Sequence, residues 1–168
     1  MASVTITPVP ASQQNAQEML ELRDDLAKYQ AETGFPQWHV GEVTLAKLVS
    51  QIDANEWYVQ MSAGRVAATV RIVYDDPELW PEGGDAGYIH GVMVRRDMMG
   101  QGLGTSILGW AEARIREAGR SLARLDCAMT SNNLRRYYLN RGYFEVGEVH
   151  PPPESAYEPA VLLEKPIV

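Results

Sequence analysis

The sequence contains a single cysteine, Cys127, among its 168 residues. One cysteine excludes an intramolecular disulfide and any metal site built from several cysteines. A chain without disulfides fits the reducing cytoplasm, where we expect this protein. No apolar run approaches the roughly 20 residues that a membrane-spanning helix needs. Residues 1–8 lack the basic start and apolar stretch of a secretory signal.

Positive charge is scarce as well. The chain has 15 Lys and Arg against 22 Asp and Glu, for a formal net charge of −7. Nonspecific nucleic-acid binding depends on basic side chains that neutralise phosphates, so we expect no nucleic-acid partner. The same balance argues against an anionic membrane surface. A cationic partner such as an amine is favoured modestly by the overall field.

The remaining composition is that of an ordinary globular protein. Hydrophobic residues make up 45% and charged residues 22%. The length and the absence of repeats or linkers predict one domain over residues 1–168.

Hydrophobic periodicity and turn residues predict the order of the elements. The expected elements are a strand over 3–9, helices over 11–31 and 42–52, hairpin strands over 57–61 and 66–73, a loop over 76–85, a strand over 88–94, a helix over 105–118, a strand over 121–128, a helix over 132–140, and strands over 143–149 and 161–163.

A glycine-rich turn, Gly100-Gln101-Gly102-Leu103-Gly104, joins the strand over 88–94 to the next helix. A helix N-terminus exposes unpaired N–H groups and the positive end of the helix dipole. Glycines allow an anion to approach the backbone closely. The turn is therefore suited to a phosphate or pyrophosphate, although a tight turn without a ligand has the same glycine spacing.

Two nucleotide-binding patterns fail at this turn. A Walker loop ends in Gly-Lys-Ser/Thr, but Thr105 follows Gly104 directly. A dinucleotide fingerprint needs Gly-x-Gly-x-x-Gly, and the three residues after Gly104 are Thr105, Ser106 and Ile107.

Residues 92–108 resemble the central acyl-coenzyme A motif of the GNAT superfamily of N-acetyltransferases. The segment from Asn133 to Tyr143 resembles the family's second motif, in which a Tyr precedes a Gly by four residues, as Tyr138 precedes Gly142. The two motifs occur in the family's order and cover about residues 86–149.

The resemblance implies an α+β fold and a single GNAT-like domain. Its mixed, mostly antiparallel sheet would have about seven strands, flanked by about four helices, with a splayed pair of central strands. It also implies an acyl-coenzyme A-dependent N-acetyltransferase whose co-substrate is acetyl-CoA or another short acyl-CoA, without a metal. The expected acceptor is a primary amine of a small molecule that attacks directly in a ternary complex. A homodimer is compatible with the resemblance.

The resemblance assigns cofactor binding to one set of residues: Val92, Met93, Val94, Met99, Gly100, Gln101, Gly102, Leu103, Gly104, Thr105, Asn133 and Tyr138. Met99 departs from the family, which usually has Arg or Gln at that position. Binding would then depend on backbone amides, with Arg95 and Arg96 close enough in sequence to compensate. Asn133 is equally well explained as a residue that favours a helix N-terminus.

Tyr138 stands where the family has the Tyr that protonates the leaving thiolate, so the resemblance makes it the expected acid; a phenol with a pKa of about 10 keeps its proton at neutral pH. His90 is the expected base for the amine, in the region where the family often has a Glu. A structural, hydrogen-bonded histidine and a packed tyrosine are the alternatives. The resemblance also implies that a backbone N–H near Met93 or Val94 donates to the oxyanion. By strand alternation, Tyr88, Val92 and Val94 should share the face of His90, which makes Tyr88 a candidate to border the acceptor site.

Other reactive side chains carry weaker hypotheses. Cys127 sits mid-strand with no neighbouring His, so we expect a small buried hydrophobe and not an acyl-enzyme nucleophile. His39 and His150 are isolated, and metal binding by either is not expected. Asp126 is either a structural partner of an Arg or a substrate contact.

The resemblance implies an acceptor site at about residues 35–39 and the acidic loop 75–85, whose carboxylates flank Trp80. Carboxylates beside an aromatic ring suit a cationic amine, although a solvated acidic loop has the same composition. The alternative function is a catalytically weak module that binds or senses acyl-CoA, which the substitution at Met99 and the missing Glu favour. A third hypothesis is that the protein binds a nucleotide.

Overall fold

Seven strands and four α-helices follow each other along the computed structural model, which describes residues 7–34, 36–155 and 157–168. The strands are β1 (Val9–Pro10), β2 (Trp57–Ser62), β3 (Arg65–Val73), β4 (Ala86–Val94), β5 (Leu122–Ala128), β6 (Phe144–Val149) and β7 (Ala160–Pro166). The helices are α1 (Ala16–Glu32), α2 (Leu45–Asp53), α3 (Leu103–Glu117) and α4 (Asn132–Leu139). Short 3-10 turns cover Gln13–Asn15 and Arg96–Met98.

All strands belong to one sheet in the order β1-β2-β3-β4-β5-β7-β6. Neighbouring strands are antiparallel except β4 and β5, which run parallel. These two pair only between Ala86–Tyr88 and Leu122–Arg124. Beyond Tyr88 the two strands separate, which opens a gap in the middle of the sheet. The predicted fold class, with its splayed central strands, is confirmed.

Two hydrophobic layers cover the two faces of the sheet. On one face, Ile107, Leu108 and Ile115 of α3 pack with Val70 and Leu125. On the other face, α1 and α2 bury an apolar stripe at helical spacing against β2, β3 and β4: Met19, Leu22, Leu26, Leu48 and Ile52. Among the described residues, no helix is both long enough and apolar enough to cross a membrane.

Several predicted boundaries were wrong by a few residues. Helix α2 begins at Leu45 and not at residue 42, because the Thr44 side chain caps it by accepting a hydrogen bond from the Lys47 N–H at 3.1 Å. Helix α3 begins at Leu103, two residues before the predicted start. In the described chain β1 consists of Val9–Pro10. Residues 3–6 of the predicted first strand lie outside the described residues.

A β-bulge in β4 corrects the predicted face of its side chains. The register with β3 shifts between Thr69 and Arg71, opposite Gly91, whose φ is 58°. The bulge adds one residue, so Val92 and Val94 pack on the α3 side together with Ile89, and not on the face of His90. A Cβ on Gly91 would lie 2.3 Å from the Trp57 ring, so only glycine fits here.

Candidate active site

A cavity of about 760 Å³ lies where β4 and β5 separate. Its walls come from α1, the segment after α1, α2, the strands β2 to β5, the glycine turn and α4. The gap between the strands therefore joins the glycine turn to the region of His90 within one cavity.

The glycine turn leads straight into α3. Gly102 has a φ of 80°, and the first residue of the helix is Leu103. The first N–H groups of a helix have no partner within it, so they are available to an anion. A Cβ on Gly100 or Gly102 would meet no atom within 4 Å, so the space over both residues is open. The turn has the geometry of an anion-binding site.

Most of the predicted cofactor residues lie on the cavity: Val92, Met93, Val94, Met99, Gly100, Gly102, Leu103, Gly104, Thr105 and Tyr138. Two do not. Gln101 is exposed at the tip of the turn, and Asn133 is exposed in the first turn of α4. Met99 is 45% exposed beside the glycines.

Sequence reasoning missed a polar cluster at the start of α3. The Arg141 guanidinium lies over the Tyr137 ring, 3.5 Å from its centroid, and donates to Thr105 Oγ1 at 2.5 Å. The Tyr137 hydroxyl lies 3.1 Å from the same oxygen. The cluster brings a positive charge to the helix N-terminus across 36 positions of sequence. The only local indication of this cluster in the sequence is that Tyr137, in α4, and Arg141, just beyond its end, are four residues apart.

His90 lies between two carboxylates. Its Nε2 is 2.9 Å from Oδ2 of Asp76, and its Nδ1 is 3.7 Å from Oδ1 of Asp126. Asp126 lines the cavity from β5, and burial raises the pKa of its carboxyl above the usual range. The sequence left the role of Asp126 open. The structure places it beside His90, across the gap between β4 and β5.

The direction of the Val94 backbone N–H follows from the way β4 pairs with β3. The Arg95 N–H donates to the Ala67 carbonyl of β3 at 2.9 Å. N–H groups alternate in direction along a strand, so the Val94 N–H points away from β3. On that side β4 has separated from β5, so this N–H faces the gap.

Tyr138 of α4 is buried and lies on the cavity. Its ring packs edge-on against Tyr137 and Tyr143, at centroid distances of 5.3 and 5.7 Å. Burial, reinforced by the nearby Cys127, raises the pKa of the Tyr138 phenol above its ordinary value. The phenol therefore holds its proton at neutral pH.

Cys127 is fully buried in the α3-side core. Burial raises the pKa of its thiol to about 11, so it is a thiol and not a thiolate at neutral pH. His150 is exposed and lies 2.8 Å from Glu148 of β6, away from the cavity. His39 does not line the cavity. Within the described ranges, no three His, Cys, Asp or Glu side chains group in a way that could hold a metal ion.

The expected acceptor region is only partly on the cavity. Gln37 and Trp38 line it, whereas Phe35 lies outside the described residues. The acidic loop does not line it, and the interpretation of Trp80 as a surface for cations was wrong. Trp80 is buried under Arg124, whose guanidinium lies 4.6 Å from the ring centroid.

Tyr88 is also placed differently from the expectation that it could border the acceptor. It is 1% exposed, packs near Trp80 and does not line the cavity.

Comparison with known proteins places this geometry in a family. The model of the acetyltransferase (GNAT) family matches residues 20–143. The uncharacterized N-acetyltransferase YesJ of Bacillus subtilis is 28% identical over 146 residues, covering 82% of this chain and 81% of that protein. An aminoalkylphosphonate N-acetyltransferase of Salmonella typhimurium is 37% identical over 57 residues, covering 34% of this chain and 37% of that protein.

The fold is also similar to that of the PaiA N-acetyltransferase of Thermoplasma acidophilum, solved in complex with coenzyme A. The TM-score is 0.75 at 11% identity, with 97% of this chain and 99% of that chain covered. Because the family model spans most of the chain, from α1 to the start of β6, the protein belongs to the acetyltransferase (GNAT) family and is an acyl-CoA-dependent N-acetyltransferase.

Proposed function

We propose that the protein transfers an acetyl group from acetyl-CoA to a primary amine of a small molecule, by direct attack in a ternary complex. One observation carries the proposal. His90 and Tyr138 border the same cavity as the glycine turn, at the point where β4 and β5 separate. A base, an acid and an anion site therefore share one space.

The residues present fit acetyl-CoA. The free N–H groups at the start of α3 would hold its pyrophosphate, with Arg141 and Thr105 adding donors beside them. This arrangement offsets the absence of a basic side chain at Met99. The pantetheine arm would run beside Val92, Met93 and Val94, like an additional strand next to β4. Acetyl-CoA supplies an activated thioester.

Each remaining step belongs to a group of this chain. The amine nitrogen bonds to the acetyl carbon, the carbon–sulfur bond breaks, and the thiolate takes a proton from Tyr138. The Val94 N–H, which faces the gap, would donate to the carbonyl oxygen as negative charge develops there. The proton lost by the amine leaves towards His90.

The hydrogen bond to Asp76 supports His90 as the base. If Nε2–H donates to Asp76, the lone pair is on Nδ1, which faces Asp126 and the cavity. Asp76 then fixes the tautomer and the orientation of the ring, which is what a proton acceptor needs. Asp76 is a positioning residue in this account, because it acts through His90.

We also propose that residues 1–168 work as one domain in the cytoplasm, without a metal. The name of the Salmonella relative, an aminoalkylphosphonate N-acetyltransferase, supports a small amine as the acceptor. The second candidate is a catalytically weak acyl-CoA-binding module, favoured by Met99 and by the histidine in place of a Glu base.

A thiol-release assay with acetyl-CoA and a library of small primary amines separates the two candidates. We expect amine-dependent release of thiol, together with binding of coenzyme A in calorimetry. Tight binding of coenzyme A without turnover of any amine would favour the binding module. Binding of ATP or NAD without binding of coenzyme A would overturn both.

A further inference from the structure

We propose that the acceptor amine also carries an anionic group, a carboxylate or a phosphonate, and that Arg71 and Arg23 bind it. The inference rests on the proposed function, since it names the substrate class of the same site. Its basis is the set of charged side chains on the cavity wall, which combines two guanidinium groups with His90 and Asp126.

A row of paired residues crosses the sheet and fixes Arg71 next to His90. Trp57 of β2 is paired with Arg71 of β3, and Arg71 is paired with His90 of β4. Directly paired residues point to the same face, with Cβ atoms about 4.5–5.5 Å apart. All three side chains line the cavity. An anion bound by Arg71 would therefore lie within a small molecule's length of the base.

Arg71 retains free donors. Its Nε donates to Oε2 of Glu56 at 2.7 Å, which uses one of five N–H groups. In the described part of the chain its two terminal nitrogens make no hydrogen bond. Arg71 lines the cavity and Glu56 does not, so the carboxylate holds the side chain from behind. A planar guanidinium with both terminal nitrogens free suits a carboxylate or a phosphonate.

Arg23 of α1 supplies a second positive charge on the cavity wall. Its Nη2 donates to Oε2 of Glu42 at 2.8 Å, and its guanidinium lies 4.9 Å from the centroid of the Trp38 ring. Its Nη1 is buried and has no acceptor among the described residues. Arg23 lies on the cavity wall, so its positive charge would add to that of Arg71 at a bound anion, while the buried Nη1 itself is shielded from the cavity.

The other charged groups on the cavity complete the match. Asp126 faces His90 and would attract the ammonium form of the amine before it loses its proton. A simple cationic amine would leave the terminal nitrogens of Arg71 without an acceptor. A molecule with both an amine and an anion satisfies both sets of groups.

Matched amines test the proposal. β-Alanine and 2-aminoethylphosphonate carry the anion, whereas β-alaninamide and ethanolamine of similar length do not. We expect kcat/KM to be at least about tenfold higher for the two anionic amines, since paired charged hydrogen bonds separate the sets. Comparison of the carboxylate with the phosphonate shows which of the two anions the site prefers.

Arg71→Gln should lower the ratio of anionic to neutral kcat/KM by about tenfold or more, mainly through KM for the amine. Arg71→Lys keeps the charge that faces Glu56 but loses the planar fork, so it should lower the ratio while the protein stays folded. Arg120→Gln is the matched control, because Arg120 pairs with Asp85 away from the cavity. Its ratio should equal that of the wild type.

An equal kcat/KM for anionic and neutral amines, or an equal loss for both in the Arg71 variants, would overturn the inference. If no amine is acetylated, calorimetry of β-alanine and 2-aminoethylphosphonate on the protein saturated with coenzyme A decides. Binding that Arg71→Lys abolishes would support the anion site while the proposed function fails. Absence of binding would overturn the anion site as well.

Discussion

His90 Nε2 and Asp76 Oδ2 lie 2.9 Å apart, although Asp76 belongs to the loop that precedes β4. The contact orients the imidazole towards the cavity. We predict that Asp76→Asn lowers kcat by about tenfold, with little change in KM for acetyl-CoA. His90→Ala should have a larger effect, about a hundredfold, and should reshape the acid limb of the pH–rate profile, since general-base catalysis contributes at least that much.

Asp75→Asn is the control for this prediction, because Asp75 is the exposed neighbour in the same loop. It should leave kcat unchanged. An unaltered pH–rate profile for His90→Ala would remove His90 from the mechanism. A higher KM for acetyl-CoA in Asp76→Asn would mean that Asp76 shapes the cofactor site instead.

Tyr138→Phe should lower kcat by about a hundredfold, because it removes the proton that the leaving thiolate needs. The affinity for coenzyme A, measured by calorimetry, should stay within a factor of about two, since the ring that packs on Tyr143 is retained. A variant with wild-type kcat would show that the thiolate takes its proton from another donor.

Burial also raises the pKa of Tyr138, and the sign of this shift has a consequence for wild-type activity. An acid with a raised pKa keeps its proton to higher pH. An ordinary phenol titrates near about pH 10, so wild-type kcat should not fall up to about pH 9 through loss of the Tyr138 proton. A fall in that range that disappears in Tyr138→Phe would contradict the assignment.

Gly102→Leu should weaken coenzyme A binding by tenfold or more, because a side chain would stand in the open space over the start of α3. The substitution also strains the backbone, whose φ is 80°. Gly119→Leu is the matched control, since Gly119 has a φ of 82°, equally open surroundings and a position at the far end of α3. Calorimetry should show wild-type affinity for Gly119→Leu. Equal losses in both variants would assign the effect to strain.

Glu112 of α3 joins two other parts of the fold. It accepts from the Tyr143 hydroxyl at 2.8 Å and from Lys165 Nζ of β7 at 2.9 Å. Glu112→Ala should reduce the free energy of unfolding by about 1–3 kcal/mol, because a buried hydroxyl and an ammonium lose their acceptor. Glu117→Ala on the same helix removes only an exposed ion pair with Arg114 and should change it little. Denaturant unfolding of both variants measures the difference.

Local pattern was enough to predict much of this fold. The glycine turn, the strand before it and the helix after it are contiguous in sequence, so the local residue pattern predicts their structure. The Tyr138–Gly142 segment is likewise local. The resemblance to the family supplied the mixed sheet of about seven strands and its splayed central pair, which periodicity alone does not predict.

The contacts that complete the site join residues that are distant in sequence, so local sequence patterns do not predict them. Asp76 reaches His90 from a loop that we expected either at the acceptor site or in solvent, and Arg141 reaches Thr105 across 36 positions. A single bulge at Gly91 moved Val92 and Val94 to the other face, because one added residue reverses the alternation of a strand. Arg71 and Arg23 border the cavity only because β3 and α1 meet there.

Initial rates with acetyl-CoA and an acceptor amine both varied test the central claim most directly. Direct attack in a ternary complex predicts intersecting double-reciprocal plots, one thiol released per amine acetylated, and no acetylated protein in the mass spectrum when the amine is left out. Parallel plots, together with an acetyl group on the protein, would contradict direct attack and indicate a covalent acetyl-enzyme intermediate.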